Sequence, residues 1–213
     1  MSYYTIKDET SFQFEEKKSI FISNIKRVYT EEEAKEFVQS IKAKYKDARH
    51  NVYAYIVGEK SQIQRYSDDG EPQGTAGIPI LEVIKKNGIT DVAIVVTRYF
   101  GGILLGTGGL TRAYSKGAAS AIKEGKIVLK VMGKALSVTV NYDLLGKIQY
   151  LCEKKMWHIE NLEYTDKVKM TIYFEESILE EAKKTFIEVA SGGCEFFEGE
   201  SKYYFKIDNR LFP

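Results

Sequence analysis

Cysteine and histidine are scarce in this 213-residue chain, which has two of each. They stand at positions 50, 152, 158 and 194, without the paired spacing of a zinc site. Cys152 and Cys194 read as reduced, incidental thiols, because no export signal precedes them. Long apolar runs are missing too. The longest clean one, residues 92–96, is five residues, against the roughly 20 that a membrane-spanning helix needs. The opening MSYYTIKDETSFQFEEKK lacks a basic segment followed by an apolar one, so no secretory leader is expected and a cytoplasmic location is. Charge of one sign is not in excess either, with 31 Lys+Arg against 30 Asp+Glu. Bulk attraction to nucleic acid is thereby excluded. A mild asymmetry remains, net +4 over residues 1–133 and net −3 over residues 134–213. What is present, 44% apolar and 29% charged residues, suits a folded soluble chain.

The second half is the more regular. Residues 135–142 alternate Leu136, Val138, Val140 and Tyr142 against Ser137, Thr139 and Asn141, the period of a half-buried strand. A helix follows with Asp143 as its cap, then strands at 159–164 and 168–174 about a Thr165-Asp166-Lys167 turn. Ser177 with Glu180 reads as a capping box for a second helix that Ser191-Gly192-Gly193 ends. A last strand ends near residues 202–207. The order βαββαβ predicts a ferredoxin-like unit, with Trp157 and His158 structural.

In the first half, strands are predicted at 11–17, 19–28, 51–57 and 63–66. Helices are predicted after Thr30 (a capping box with Glu33), around Pro79, and from 110 onward. Residues 91–98 form a strand buried on both faces. A strand at 126–131 closes this unit and Gly133-Lys134 is the hinge. The reading is an α+β protein of two domains, 1–133 and 134–213.

Two segments depart from ordinary packing logic. Residues 67–75, SDDGEPQGT, hold Asp68, Asp69 and Glu71 among Gly70, Pro72 and Gly74, with Thr75 at the end. Their oxygens suit a hard cation or a hydrogen-bonding partner. Equally, one acid caps the next helix and another pairs an arginine. Residues 97–112, TRYFGGILLGTGGLTR, place Gly101, Gly102, Gly106, Gly108 and Gly109 between a buried strand and a helix. Backbone amides at such a helix start, Thr107 included, favour anions. Arg98 and Arg112 flank the turn as phosphate ligands, and Tyr99 and Phe100 offer rings for stacking. Tight strand–helix packing explains the glycines as well. The spacing is neither a P-loop nor a dinucleotide fingerprint. His50, in DARHN, is a candidate base or a hydrogen-bonded strand-end residue.

These segments, SDDGEPQGTAGIPIL (67–81), VVTRYFGGILLGTGGLTRAYS (95–115) and DARHN (47–51), resemble the YigZ/IMPACT family. The resemblance runs over the whole chain. It implies a first domain similar to domain 2 of a small-subunit ribosomal protein and a second similar to the C-terminal domain of elongation factor G. It further implies contact with RNA, the ribosome or a translation factor, since eukaryotic relatives regulate translation initiation. Asn51 stands where bacterial relatives often carry a second histidine, which weakens a paired-histidine metal site. No metal or cofactor is implied.

The expectation is therefore a non-enzymatic cytoplasmic protein that binds RNA or the translation machinery. Its phosphate site is Arg98, Tyr99, Gly101, Gly102, Gly106, Thr107, Gly108, Gly109 and Arg112, beside an acidic loop of Asp68, Asp69, Glu71 and Thr75 with His50. Its rivals are a phosphotransferase or metal-assisted hydrolase using the same cleft, and a protein-interaction module.

Overall fold

Successive side chains of a strand point to opposite faces, so the apolar run at residues 92–96 needs cover on both sides. In a computed structural model that describes residues 2–213, it has that cover. The chain divides into two units, Tyr3–Val128 and Leu129–Pro213, the latter with Ser2. Strand β1 (Ser2–Ile6) opens the first, bridging to Ile89 through Tyr4. Strands β2 (Thr10–Glu16) and β3 (Ser19–Arg27) follow, then helix α1 (Glu31–Lys44), β4 (His50–Val57), β5 (Ile63–Ser67), helix α2 (Gly77–Lys86), β6 (Val92–Tyr99) and helix α3 (Thr107–Gly125). The antiparallel sheet runs β2-β3-β6-β4-β5, which puts β6 at its centre. Val92, Ile94 and Val96 pack with α2 and α3. Ala93 and Val95 pack toward α1.

Three local signals act as the sequence suggests. Thr30 Oγ1 accepts the Glu33 amide at 3.1 Å, and the Glu33 carboxylate accepts the Tyr29 amide at 2.7 Å. Pro79 sits in the first turn of α2, where no helical N–H is lost. Asn87 and Gly88 end that helix.

The second unit contains most of β7 (Ile127–Val140), then α4 (Tyr142–Lys155), β8 (Ile159–Tyr164), β9 (Val168–Glu175), α5 (Glu176–Val189) and β10 (Cys194–Glu198). This is the expected βαββαβ unit, with β7 between β10 and β9 and with β8 at the edge. Leu136, Val138, Val140, Met170, Ile172 and Phe174 form one buried layer with Ile148, Leu179, Ala182 and Phe186. Trp157 closes its end against Phe174 and Phe186, with ring centroids 5.1 and 5.2 Å apart. Both cysteines are free, and burial pushes the Cys152 thiol up to about 12.

Several boundaries differ from the sequence reading. Gly133 and Lys134 are not a hinge but lie inside β7, paired to β9. The glycine is required by close approach: a Cβ would sit 2.6 Å from the Phe174 carbonyl oxygen. The strands expected at 126–131 and 135–142 are thus one. The final strand is two, β10 and β11 (Lys202–Ile207), which occupy successive stretches of β7. The chain then turns at Asp208-Asn209, both left-handed, into β12 (Arg210–Phe212). The helix caps also fall elsewhere. α4 is preceded by Asn141 and α5 by Glu175, with no side-chain cap bond at either, so Asp143 and Ser177 lie within first turns. No helix among the described residues is long and apolar enough to cross a membrane.

One contact ties α1 to the sheet and gives the first unit an alkaline limit. Tyr55 on β4 is 3% exposed and donates to the Glu31 carboxylate at 3.1 Å. Burial, followed by that carboxylate, pushes its phenol up to about 12. Below about 10, folded and unfolded chains both hold the proton. Above it the unfolded chain releases the proton first, so stability falls between about 10 and 12. Urea midpoints measured across that range are expected to drop with pH, and less steeply in Tyr55→Phe than in the parent.

Candidate functional site

Residues 67–75 leave the edge strand β5 and must feed α2, whose N-cap, Ala76, has no side chain to satisfy the first amides. Asp68 does so from a distance. Its Oδ1 accepts from Ala76 and Gly77 at 3.1 and 2.8 Å, and its Oδ2 accepts from Gly74 at 2.8 Å. Asp69 accepts from Lys42 Nζ and the Asn51 amide, each at 2.6 Å. Glu71 Oε1 accepts from Arg98 Nη1 and from the Tyr114 hydroxyl, each at 2.7 Å. Thr75 Oγ1 donates to the Pro72 carbonyl at 2.7 Å. Of the two readings of this loop, the geometry is that of an acid capping a helix and another pairing an arginine. Among the described residues no group of three or more His, Cys, Asp or Glu is placed to hold a metal ion.

The Glu71 network is buried. The side chains of Glu71 and Arg98 are 4% and 6% exposed, and Tyr114 is fully buried. Burial, followed by the Glu71 charge, holds the Tyr114 phenol far above its ordinary value, so it is a fixed donor. Arg98 also donates from Nη2 to Ser19 Oγ at 3.3 Å and lies 5.6 and 5.5 Å from the Phe21 and Phe100 ring centroids. Its buried Nε has no acceptor among the described residues.

The glycine turn has two functions. A Cβ on Gly101 would fall 2.0 Å from the Lys18 carbonyl, and its amide donates to Ser19 Oγ at 3.3 Å. That glycine serves packing of the turn on the β2–β3 hairpin. Gly106 instead takes φ 72° and caps α3, again without a side-chain bond. The helix begins with Leu110 donating to the Gly106 carbonyl, ahead of which stand the amides of Thr107, Gly108 and Gly109. Gly102 is left-handed, and a Cβ there would meet open space.

The acidic loop and the glycine turn do meet. A cavity of about 400 Å³ is lined by Arg49, His50, Glu71, Pro72, Arg98, Phe100, Leu110 and residues 104–107. His50 Nδ1 lies 2.8 Å from the Asp69 carbonyl oxygen. A carbonyl can only accept, so Nδ1 carries the proton and Nε2 is left as the free ring nitrogen. Asn51, the next residue, points to the other face, where its Oδ1 accepts from Thr97 at 2.7 Å.

Of the expected site residues, His50, Glu71, Arg98, Gly106 and Thr107 line this cavity, whereas Asp68, Asp69, Thr75, Tyr99, Gly101, Gly102, Gly108, Gly109 and Arg112 do not. Tyr99 alternates away from Arg98, and its hydroxyl donates to Asp47 at 2.9 Å. Phe100 takes the cavity wall instead. Arg112 lines an adjoining depression of about 350 Å³ with Glu16, Lys17, Leu105, Gly109, Ala113 and Lys116. Sequence reasoning also missed Arg49, Lys17, Ser19 and Tyr114. Tyr114 carries the spacing of a core helix residue, and nothing local points to an acid 43 residues upstream.

A two-unit α+β chain whose central strand leads through a glycine turn into a helix matches known families. The model of the Impact N-terminal domain matches residues 17–122, and that of a domain of unknown function, DUF1949, matches residues 138–192. Among relatives, IMPACT family member YvyE of Bacillus subtilis is 39% identical, over 99% of this chain and 97% of its own. IMPACT family member YigZ of Escherichia coli is 39% identical over 70% of this chain and 74% of its own. A crystal structure described as that of a hypothetical protein is 32% identical, with TM-score 0.60, covering 93% of this chain and 98% of that one. The chain belongs to the IMPACT family.

The structural work of the acidic loop is open to measurement. Asp68→Ala strands three amides at the entry to α2 and is expected to cost about 2 kcal/mol or more in urea unfolding. Asp68→Asn keeps one acceptor oxygen and should cost less. Equal stability of all three proteins would contradict the assignment.

Proposed function

We propose that this chain binds RNA within the translation machinery through the exposed basic depression along α3, without chemistry of its own. The supporting observation is the convergence of Lys17, Arg112 and Lys116 on one depression. All three side chains are exposed and none makes an ion pair among the described residues. Arg112 and Lys116 are one helical turn apart, so both heads leave the same face of α3. Lys17 comes from the β2–β3 turn, where it and Lys18 adopt φ of 46° and 63°. Left-handed lysines are uncommon in such turns, which favour asparagine and glycine. Here the hairpin tip carries two charges instead. Lys116 Nζ lies 4.5 Å from the Phe14 ring centroid, which steadies its stem.

Buried and exposed arginines differ in what they can offer a phosphate. Arg98 is neutralised by Glu71 and shielded, whereas Arg112 is free to displace counterions. The resemblance to translation regulators supplies the context. The catalytic alternative loses its motive, because Asp68, Asp69 and Glu71 each hold protein donors.

Fluorescence anisotropy with a labelled single-stranded RNA, and cosedimentation with ribosomes, at about 50 and 200 mM salt test this. Affinity is expected to fall steeply with salt. The Lys17→Ala/Arg112→Ala/Lys116→Ala variant should bind more weakly, with a log–log salt slope shallower by about 2. No binding at the lower salt, or an unchanged slope, would overturn the proposal.

A further inference from the structure

Two of the cations in the basic depression belong to a longer line along α3. We propose that the exposed face of this helix docks on the backbone of double-stranded, A-form RNA rather than on a single strand. The inference rests on the reading of the depression as an RNA site and names the kind of RNA.

The line follows from helical geometry. At 3.6 residues per turn, Arg112, Lys116 and Lys123 fall within an arc of about 40°. At about 1.5 Å per residue, they span roughly 16 Å along the axis. Lys123 is exposed and, like Lys17, Arg112 and Lys116, makes no ion pair among the described residues. Lys17 joins the line through the depression that it shares with Arg112 and Lys116. Two exposed acids flank it. Glu16 borders the depression, and Glu124 lies about 80° round the helix from Lys116. Four cations against these two leave the face net positive.

Between the charges the surface is small. Gly108 and Ala119 are exposed on the same arc, and Arg112 Nη1 stands 3.5 Å from where a Cβ on Gly108 would be. The guanidinium thus leans back over the glycine, toward the start of the helix, as helical side chains do. The helix can therefore approach a phosphate chain closely.

What this face does not carry separates the two kinds of RNA. Single strands are held by bases stacked on aromatic rings. The one aromatic residue of α3, Tyr114, is fully buried. Phe14 beside the helix is half-buried, and its ring already faces Lys116 Nζ. A duplex keeps its bases stacked on one another and presents phosphates and 2′-hydroxyls, which proteins read by shape across a wide, shallow minor groove. It is also rigid, so a straight line of cations meets it without the ordering cost of a flexible strand. No large apolar side chain of α3 is exposed among the described residues, so the face lacks the apolar anchors that protein interfaces place at their centres.

The test is fluorescence anisotropy of the full chain with a labelled RNA duplex of about 16 base pairs, with each of its strands, and with the DNA duplex of the same sequence, at about 50 mM salt and above. The RNA duplex is expected to bind at least ten-fold more tightly than either strand, and more tightly than the DNA duplex. Lys123→Ala should weaken duplex binding about three-fold or more and make its log–log salt slope shallower by about 0.9. Ala119→Leu, which changes no charge, should weaken it as well by holding the helix off the groove. Lys35→Ala, an equal loss of charge on α1 across the sheet, should leave it as it was. A strand that binds as tightly as the duplex would overturn this inference and leave the depression standing as an RNA site, whereas no binding by any probe would overturn both. Duplex binding unmoved by Lys123→Ala and Ala119→Leu would also overturn it. So would displacement of the duplex by polyglutamate at equal charge, which would point to an acidic protein instead.

Discussion

A single carboxylate oxygen, Glu71 Oε1, holds the first unit's functional end together. It accepts from a guanidinium and a phenol at 2.7 Å each, and the acid and arginine are nearly removed from water. Taking a carboxylate and a guanidinium out of water costs several kcal/mol per ion, repaid only when geometry and further hydrogen bonds are good. Here the phenol is the further bond. The oxygen itself sits in the loop after β5 and its two partners come from the end of β6 and the first turns of α3, so it fixes these three elements to one another.

This arrangement sorts the charges by task. The acids of residues 67–75 carry structure: Asp68 starts α2, Asp69 anchors Lys42 and the start of β4, and Glu71 neutralises Arg98. With these commitments made, the side chains left facing solvent are Lys17, Arg112 and Lys116 in one depression and Arg49 and Phe100 in the other. The glycine turn serves both ends. Gly101 lets the turn press on the β2–β3 hairpin, and Gly106 adopts the left-handed backbone that exposes the helix start.

Much of the fold was legible because its signals are local. Alternation along β7 and β9, the Thr30–Glu33 cap and the Thr165-Asp166-Lys167 turn each act within a few residues. The misplaced features depend on distant partners. Gly133 resembles a hinge until Phe174 is seen beside it, and the break between β10 and β11 follows from how they share β7. For the site, residue types were readable and directions were not. Alternation alone separates Arg98 from Tyr99, a signal available in the sequence. The burial of Arg98 against Glu71 is a contact across 27 positions that no periodicity encodes.

The dependence on Glu71 is tested most directly by a double-mutant cycle of Glu71→Gln and Arg98→Met in urea unfolding. Each single change leaves a buried group without its partner and is expected to cost about 3–5 kcal/mol. The double variant should recover a large part of that loss, giving a coupling energy of about 2 kcal/mol or more. Additive losses, with no coupling beyond about 0.5 kcal/mol, would show that the pair does not hold these segments together.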